Sequence, residues 1–383
     1  MQTNITSKSA GSPRRIKLAK SGTPVLGPLK LLPGTWANIR PEHRLKTQEE
    51  PNGDAFQGEG TLTGEGLSPF DGRGWNLIAL PFFEPGQFRN YRLLMNQYNE
   101  VLSFKFIDDD VPNRGIKRTP TVDNADQLVV ALDYTQMIKQ IAAADRSESG
   151  GKAGFAGLPI HHEPGFFLHM RDQRTQVASG QEIDIARLAV IPHGNSATAL
   201  GTSSTKNGPP VIPELGGFPE GVSNDIIQAV AAATGATDYL GPYNFFSNNP
   251  FKGVITSPGF PGFKPQDATE LLRLGMPQNV LRTTVLPFDT TVLEAGIVNI
   301  PFIERQADAA TMSATFWLME LDEVDEHGDQ RLVLAYAQFI FLDFFERRDG
   351  RAGLIRWPHI SINMMEKISE PEALQASPEA LAL

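Results

Sequence analysis

The chain of 383 residues carries 34 Lys and Arg against 44 Asp and Glu, a net charge of −10, and it has no cysteine. The missing cysteines exclude a disulfide scaffold, a thiolate zinc site, a cysteine-held iron–sulfur cluster and a cysteine nucleophile. The acidic balance argues against nucleic acid as a partner. With 35 Gly and 29 Pro, the composition favours strands joined by many turns over a helix bundle.

The N-terminal residues 1–28 are basic and rich in serine, and no apolar run among them is long enough for the core of a signal peptide. No stretch of the chain approaches the ~18 apolar residues of a membrane-spanning helix. These features predict a flexible N-terminal tail, no membrane span and a cytoplasmic location. Residues 368–383 are predicted to form a second tail.

Between these tails, the chain consists largely of apolar runs separated by turn residues. Strands are predicted at 74–81, 89–97, 100–107, 127–142, 165–170, 183–192, 197–201, 314–324, 331–345 and 355–365. The run 127–142 also suits a strand that continues into a helix. Tyr98-Asn99 is predicted to be a hairpin turn, and the acidic segment 325–329 is predicted to join 314–324 to 331–345. Many antiparallel strands indicate a sandwich or a barrel.

Residues 205–310 have a different sequence pattern from that of the predicted strands. Helices are predicted at 221–234 and 266–274, with an aromatic-rich stretch between them. A loop of this length is typical of a lid or a binding element, so the segment is predicted to be an insertion that covers one end of the barrel. In that position Phe245, Phe246, Phe251, Phe260 and Phe263 would line or roof a pocket. An oligomerisation arm, and with it a homo-oligomer, is the alternative.

Histidines are the main candidates for chemistry. His43 and His327 lie in polar or acidic loops and are predicted to face solvent, whereas His161, His162 and His169 cluster near Glu163. This cluster lacks the helical spacing of HExxH, and Pro164-Gly165 prevents a helix there. A zinc or non-haem iron site on a histidine-rich strand therefore remains only an alternative. No GxSxG elbow or Walker A motif is present.

His359 lies in the predicted strand 355–365, where period-two alternation places it on one face with Trp357, Ser361 and Asn363. Haem iron needs one axial imidazole and a large apolar slot, and a roomy antiparallel barrel provides such a slot. His359 is therefore a candidate iron ligand. A single histidine in a strand is also compatible with an ordinary buried residue.

Four segments resemble the nitrobindin-like and fatty-acid-binding-protein-like β-barrels of the calycin group. They are Leu32-Pro-Gly34-Thr35-Trp36, Pro159-x-His161-x-Glu163-x-Gly165-Phe166, residues 183–201 and His359-Ile-Ser-Ile-Asn-Met. Ile-Pro-His-Gly at 191–194 and Trp-Pro-His at 357–359 are also similar to segments of larger, lipocalin-like, haem-binding bacterial proteins.

The resemblance implies one closed antiparallel barrel of about ten strands over residues 29–367, with haem b as its cofactor. It implies that His359 is the proximal iron ligand and that Trp36 closes the barrel bottom. His161 and His162 become candidate distal acid–base residues. Trp357, His169 and His193 become further candidate cofactor contacts. The expected function is haem binding with peroxidase-like or nitrogen-oxide chemistry. A carrier of an apolar small molecule and a histidine-ligated metal enzyme are the alternatives.

Overall fold

A computed structural model describes residues 15–38, 74–83, 90–118, 120–145, 153–172, 175–176, 182–234, 239–255, 259–325, 328–348 and 350–369. The strands of this part of the chain are β1 Arg15–Leu18, β2 Gly34–Ala37, β3 Gly74–Pro81, β4 Tyr91–Asn113, β5 Ile116–Lys117, β6 Asp123–Asn124, β7 Gln127–Ala144, β8 Pro159–Met170, β9 Thr175–Gln176, β10 Glu182–Ile183, β11 Ile185–Ile191, β12 Asn195–Gly201, β13 Ser204–Asn207, β14 Val280–Asp289, β15 Gly296–Asn299, β16 Asp308–Val324, β17 Gln330–Glu346 and β18 Leu354–Ser369. The helices are α1 Asn224–Thr234, α2 Gly241–Asn248, α3 Glu270–Leu274 and α4 Pro301–Ala307, and a 3₁₀ segment covers Pro24–Leu29.

Ten of the strands form a closed antiparallel barrel, and the other strands lie outside it. The order around the barrel is β2-β4-β7-β8-β11-β12-β14-β16-β17-β18, and the ring closes where β18 pairs with β2. The predicted mainly β fold with a closed barrel of about ten strands is therefore confirmed. The predicted hairpin across 325–329 is also confirmed, because β16 pairs with β17 from Asp308 to Val324.

One position in the barrel wall is shared by two strands. Both β2 and β3 lie between β4 and β18: β2 pairs with residues 101–104 of β4, and β3 pairs with residues 91–98. The other edge of β3 pairs with β18, so that Asn76 stands opposite Ser361. This arrangement brings Asn76 within reach of the side chains of β18 that face the interior.

The predicted turn at Tyr98-Asn99 is wrong, because β4 runs without a break through both residues. Asn99 pairs with Lys139 of β7, and Tyr98 is fully buried. A hairpin turn needs exposed polar residues, commonly with a left-handed backbone, whereas this stretch lies within the sheet. Residues 98–104 therefore continue one period-two pattern.

Apolar side chains from all sides of the barrel meet in one cluster. It includes Trp36, Phe104, Tyr134, Phe167 and Phe316, from five different strands. Because alternate residues of a strand face opposite sides of a sheet, only the interior can collect side chains from the whole ring. The 3₁₀ segment adds Leu26 and Leu29 to this cluster, so the floor of the barrel is filled by packed aromatic and aliphatic side chains.

A second cluster lies on the outside of the barrel, where the described residues between 208 and 279 cover the wall formed by β3 and β16–β18. Trp75 packs against Phe251, Phe260 and Phe263 of this segment. Gly217 lies against Leu77 and Ile360, which face away from Asn76 and His359. These phenylalanines therefore pack on an outer wall, which corrects the prediction that they line or roof an interior pocket.

Other predicted boundaries also change. The barrel strand β14 lies within the predicted insertion 205–310, so the segment outside the barrel is shorter. Residues 15–28, assigned to a tail, include β1, which pairs with β4, and the 3₁₀ segment under the floor. The predicted solvent-facing His43 and His327 lie outside the described residues, as does the tail after Ser369. None of the described helices has the length and apolar character needed to cross a membrane.

Candidate functional site

His359 faces the barrel interior from β18. Ile360 and Ile362 on the same strand belong to the outer cluster, while Met365 belongs to the interior cluster. The amide nitrogen Nδ2 of Asn76 lies 2.7 Å from Nε2 of His359 and also donates to Oγ of Ser361 at 3.0 Å. Asn76 is therefore the direct partner of the imidazole, and it is one that the sequence patterns do not identify.

The surroundings of His359 favour its neutral form. Burial, together with repulsion from the nearby His161 and His193, lowers the pKa of His359 to about 3. Because the Asn76 N–H donates to Nε2, the proton of the neutral ring is on Nδ1. The His359 side chain is partly exposed, so it can be reached from one side.

Two more histidines lie near enough to His359 to act on its charge. His193 is exposed in the turn between β11 and β12, and its ring centroid lies 6.2 Å from that of His161. The His161 side chain is 19% exposed, and its Nε2 lies 3.2 Å from Oε2 of Glu163. His193 is therefore more exposed than His161, and the three histidines form one group.

Glu163 and Arg187 form an ion pair below His161. Nη2 of Arg187 lies 2.5 Å from Oε1 of Glu163, and both side chains are almost fully buried. Burial acts to raise the pKa of Glu163, but the Arg187 charge, the His161 ring and the Tyr134 hydroxyl together outweigh it, and the pKa falls to about 2. Arg187 also donates to Gln338 and to the hydroxyl of Tyr134, which itself donates to Glu163. Arg187 is thus held by three partners.

Gly165 leaves the space that the Tyr134 ring needs in order to reach Glu163. A Cβ on Gly165 would lie 2.1 Å from the Leu188 carbonyl oxygen and 2.7 Å from the Tyr134 ring. The glycine therefore lets β8 approach β11 closely and lets the Tyr134 ring lie across it. In this position the Tyr134 hydroxyl reaches Glu163.

Glu100 is the second buried carboxyl group and has a different environment. Its Oε2 accepts hydrogen bonds from Tyr336 at 2.6 Å and from Asn363 at 2.9 Å, and its Oε1 accepts from Gln136 at 2.6 Å. Burial raises the pKa of Glu100, and the three donors and His161 offset this only in part. The continuation of the period-two pattern through residues 98–104 was the signal that would have placed Glu100 in the interior.

The other predicted site residues lie apart from this group. His162 points outward and is exposed, because it alternates with the inward-facing His161 and Glu163. This placement removes His162 from the candidate site. His169 is eight residues along β8 from His161, a distance of about 26 Å by strand rise, and its ring lies against Gly27 of the 3₁₀ segment.

The two predicted tryptophans are also packed elsewhere. Trp36 lies in the floor, and its indole N–H donates to the Leu32 carbonyl at 2.8 Å. Trp357 packs against Tyr91, Tyr243 and Phe344, and its N–H donates to the Phe344 carbonyl. Trp357 therefore attaches the outer segment to the barrel, while the predicted position of Trp36 at one end agrees with the structure.

A metal site built from several histidines finds no support in the described part of the chain. No three His, Asp or Glu side chains within it come close enough to hold a metal ion. The separation of His169 from His161 along β8 accounts for the failure of the 161–169 cluster as a ligand set.

Comparison with known proteins identifies no matching family model, no matching curated protein and no matching solved structure.

Proposed function

We propose that this protein binds haem at the rim end of the barrel, with His359 as the axial ligand, and uses it in peroxidase-like or nitrogen-oxide chemistry. The observation that carries the proposal is the state of His359: a neutral, partly exposed imidazole on the inner wall. A neutral imidazole is the form that ligates iron. The proposal agrees with the resemblance of the 359–364 segment to nitrobindin-like barrels.

His359 can donate a lone pair to iron, provided that one hydrogen bond to its ring is broken. An iron ligand must offer a lone pair, and the lone pair on Nε2 of His359 accepts the Asn76 N–H. Ligation through Nε2 therefore requires Asn76 to give up this hydrogen bond, at a cost of about 1 kcal/mol. Ser361 already accepts from the same amide, so Asn76 keeps a partner.

Bound haem would supply the redox chemistry of its iron, and His161 is placed to handle protons beside it. In the neutral ring, Nε2–H of His161 donates to Glu163, which leaves the lone pair on Nδ1. The ionised Glu163 fixes this orientation, because its pKa lies far below neutrality. His161 is therefore the candidate general acid or base, and His162 is not.

The charges of the interior disfavour one form of the alternative, a fatty-acid carrier. A buried carboxylate ligand needs a cationic partner, and Arg187 is already held by Glu163, Tyr134 and Gln338. Glu100 would add repulsion if ionised. A neutral apolar ligand meets no such penalty, so the experiment below includes identification of any bound molecule.

The test is reconstitution of the purified protein with haemin, followed by its visible spectrum. We expect a shifted Soret band in the natural sequence and in His162→Ala, the matched control on the outer face. The shift should be lost in His359→Ala and restored when free imidazole is added. An unshifted Soret band in the natural sequence, or a shift retained in His359→Ala, would overturn the proposal. Mass spectrometry that recovered a lipid and no porphyrin would support the apolar carrier instead.

A further inference from the structure

A chain of hydroxyl groups connects the surroundings of His359 to the buried Glu100. Ser361 accepts a hydrogen bond from Asn76, the partner of His359, and its own hydroxyl is bonded to that of Tyr98. The Tyr98 hydroxyl lies 2.9 Å from that of Tyr336, and Tyr336 donates to Glu100 at 2.6 Å. The Tyr98–Tyr336 and Tyr336–Glu100 separations lie within the range over which a proton passes between oxygen atoms.

The hydroxyl groups of this hydrogen-bonded series all donate in the direction of Glu100. Each hydroxyl carries one proton, and that of Tyr336 is donated to Glu100. The Tyr336 oxygen therefore accepts from Tyr98, and the Tyr98 oxygen accepts from Ser361, a bond that lowers the Tyr98 pKa against the larger effect of burial. The Ile362 carbonyl, 3.1 Å from the Tyr98 oxygen, is a second acceptor for the Tyr98 proton.

The position of Tyr98 is well defined by its packing. A Cβ on Gly74 would lie 2.1 Å from the Tyr98 ring, so the glycine makes room for it. Ser361, Tyr98 and Tyr336 come from three different strands, β18, β4 and β17, which only the closed barrel brings together. All three side chains are buried, so bulk water has little access to the chain between its ends.

Glu100 and Glu163 differ in what balances a negative charge. Glu163 has Arg187 as a partner at 2.5 Å, whereas Glu100 has neutral donors and, among the described ionisable groups, a favourable charge only from His161. Tyr98 and Tyr336 are the other ionisable groups that contact or adjoin it. Uptake of a proton by Glu100 removes an uncompensated buried charge, while uptake by Glu163 would leave Arg187 unpaired.

We propose that Glu100 is the proton acceptor for the space beside His359 and that Ser361, Tyr98 and Tyr336 conduct the proton to it. A water molecule or a protic ligand in that space gives a proton to Oγ of Ser361. Each hydroxyl then passes its own proton to the next oxygen, and the Tyr336 proton binds Oε2 of Glu100. The donor becomes its conjugate base, Glu100 becomes a neutral acid, and no electrons are transferred.

The test uses the protein without haem, so its outcome is separate from that of the proposed cofactor. A downward pH jump is followed by infrared absorption of the protonated carboxyl group, with Glu100→Gln identifying the Glu100 band. Tyr98→Phe removes the middle hydroxyl and keeps the ring. The matched control is Tyr243→Phe, another buried tyrosine, which lies in α2 and packs against Trp357, apart from these hydroxyl groups.

We expect Tyr98→Phe to slow the protonation of Glu100 by roughly 10²-fold, the scale of a positioned proton-transfer group. Tyr243→Phe should keep the natural rate. Ser361→Ala, which does not contact Glu100, should also slow the reaction and leave its final extent unchanged; it serves as the second variant if Tyr98→Phe does not fold. Natural rates in both chain variants, or the absence of a Glu100 band, would overturn the proposal.

Discussion

Among single residues, burial favours the neutral form of each group, and the nearest partners decide whether that form prevails. His359, Glu100 and Glu163 are all removed from bulk water in the same barrel. Glu163 stays ionised because a guanidinium lies against it, while Glu100 has neutral donors and its pKa rises. His359 has an N–H donor at Nε2 and two histidines nearby, so its neutral form is favoured. The type of partner, more than depth, decides the chemistry available at each position.

The lowered pKa of His359 makes a prediction about stability against pH. The folded state keeps the ring neutral down to about pH 3, whereas the unfolded chain takes up a proton near the ordinary pKa of about 6.5. The unfolded state therefore binds more protons below that value, and stability falls as the pH falls. Between pH 7 and pH 5 this contribution reaches up to about 2 kcal/mol.

Urea unfolding at the two pH values measures this loss. We expect His359→Gln to lose less stability than the natural sequence on going from pH 7 to pH 5. His162→Gln, a matched change on the outer face, should lose as much as the natural sequence does. The raised pKa of Glu100 changes stability with pH in the opposite direction. Because Glu100 is present in all three proteins, its effect cancels in the comparison. Equal losses for His359→Gln and the natural sequence would contradict the prediction.

At the level of elements, the two faces of the wall formed by β3 and β16–β18 have different partners. The inner face presents Asn76, Ser361 and His359 to the interior, and the outer face packs against the segment 208–279. Part of the predicted insertion therefore supports the wall from outside, while β14 belongs to the barrel itself. Strands buried on both faces lose simple hydrophobic alternation, which is why the sequence pattern did not indicate which side the insertion covers.

Trp75 tests the structural role of this outer cluster. Its ring is fully buried against three phenylalanines, so Trp75→Ala should lower the free energy of unfolding by about 3–5 kcal/mol. Phe166→Ala is the control, because Phe166 also points outward but is 45% exposed on β8, and its loss should be well below that of Trp75. Urea denaturation measures both. Similar losses at the two positions would show that the outer segment does not stabilise the wall.

For the molecule as a whole, closure of the barrel is uneven. β17 pairs along nearly its full length with β16 and with β18. By contrast, β12 pairs with β14 only at Leu200 and Asp289, and the rest of this edge of β12 is paired with the short β15. The region between β12 and β14 is therefore the weakest join in the ring.

Hydrogen exchange of backbone amides in the native protein should reproduce this order. Amides of β17 are expected to exchange only on global unfolding, and amides around Leu200 and Asp289 through smaller openings with lower free energies. The measurement is hydrogen–deuterium exchange resolved to short peptides. Equal protection of the two regions would mean that the barrel opens only as a unit.

The amino-acid sequence by itself determined the mainly antiparallel β structure, the long β16–β17 hairpin and the candidacy of His359, because alternation, turn residues and the scarcity of histidines are local properties. These local patterns suited a sandwich as well as a barrel, and only the resemblance of a few segments to known barrels favoured the closed form. It misassigned Tyr98-Asn99 as a turn and grouped His162 and His169 with His161. Only the tertiary structure decided that Asn76, Glu100, Tyr336 and Arg187 converge on the interior. Their convergence depends on the register and stagger of ten strands, and no local pattern encodes which side chains from distant strands then meet.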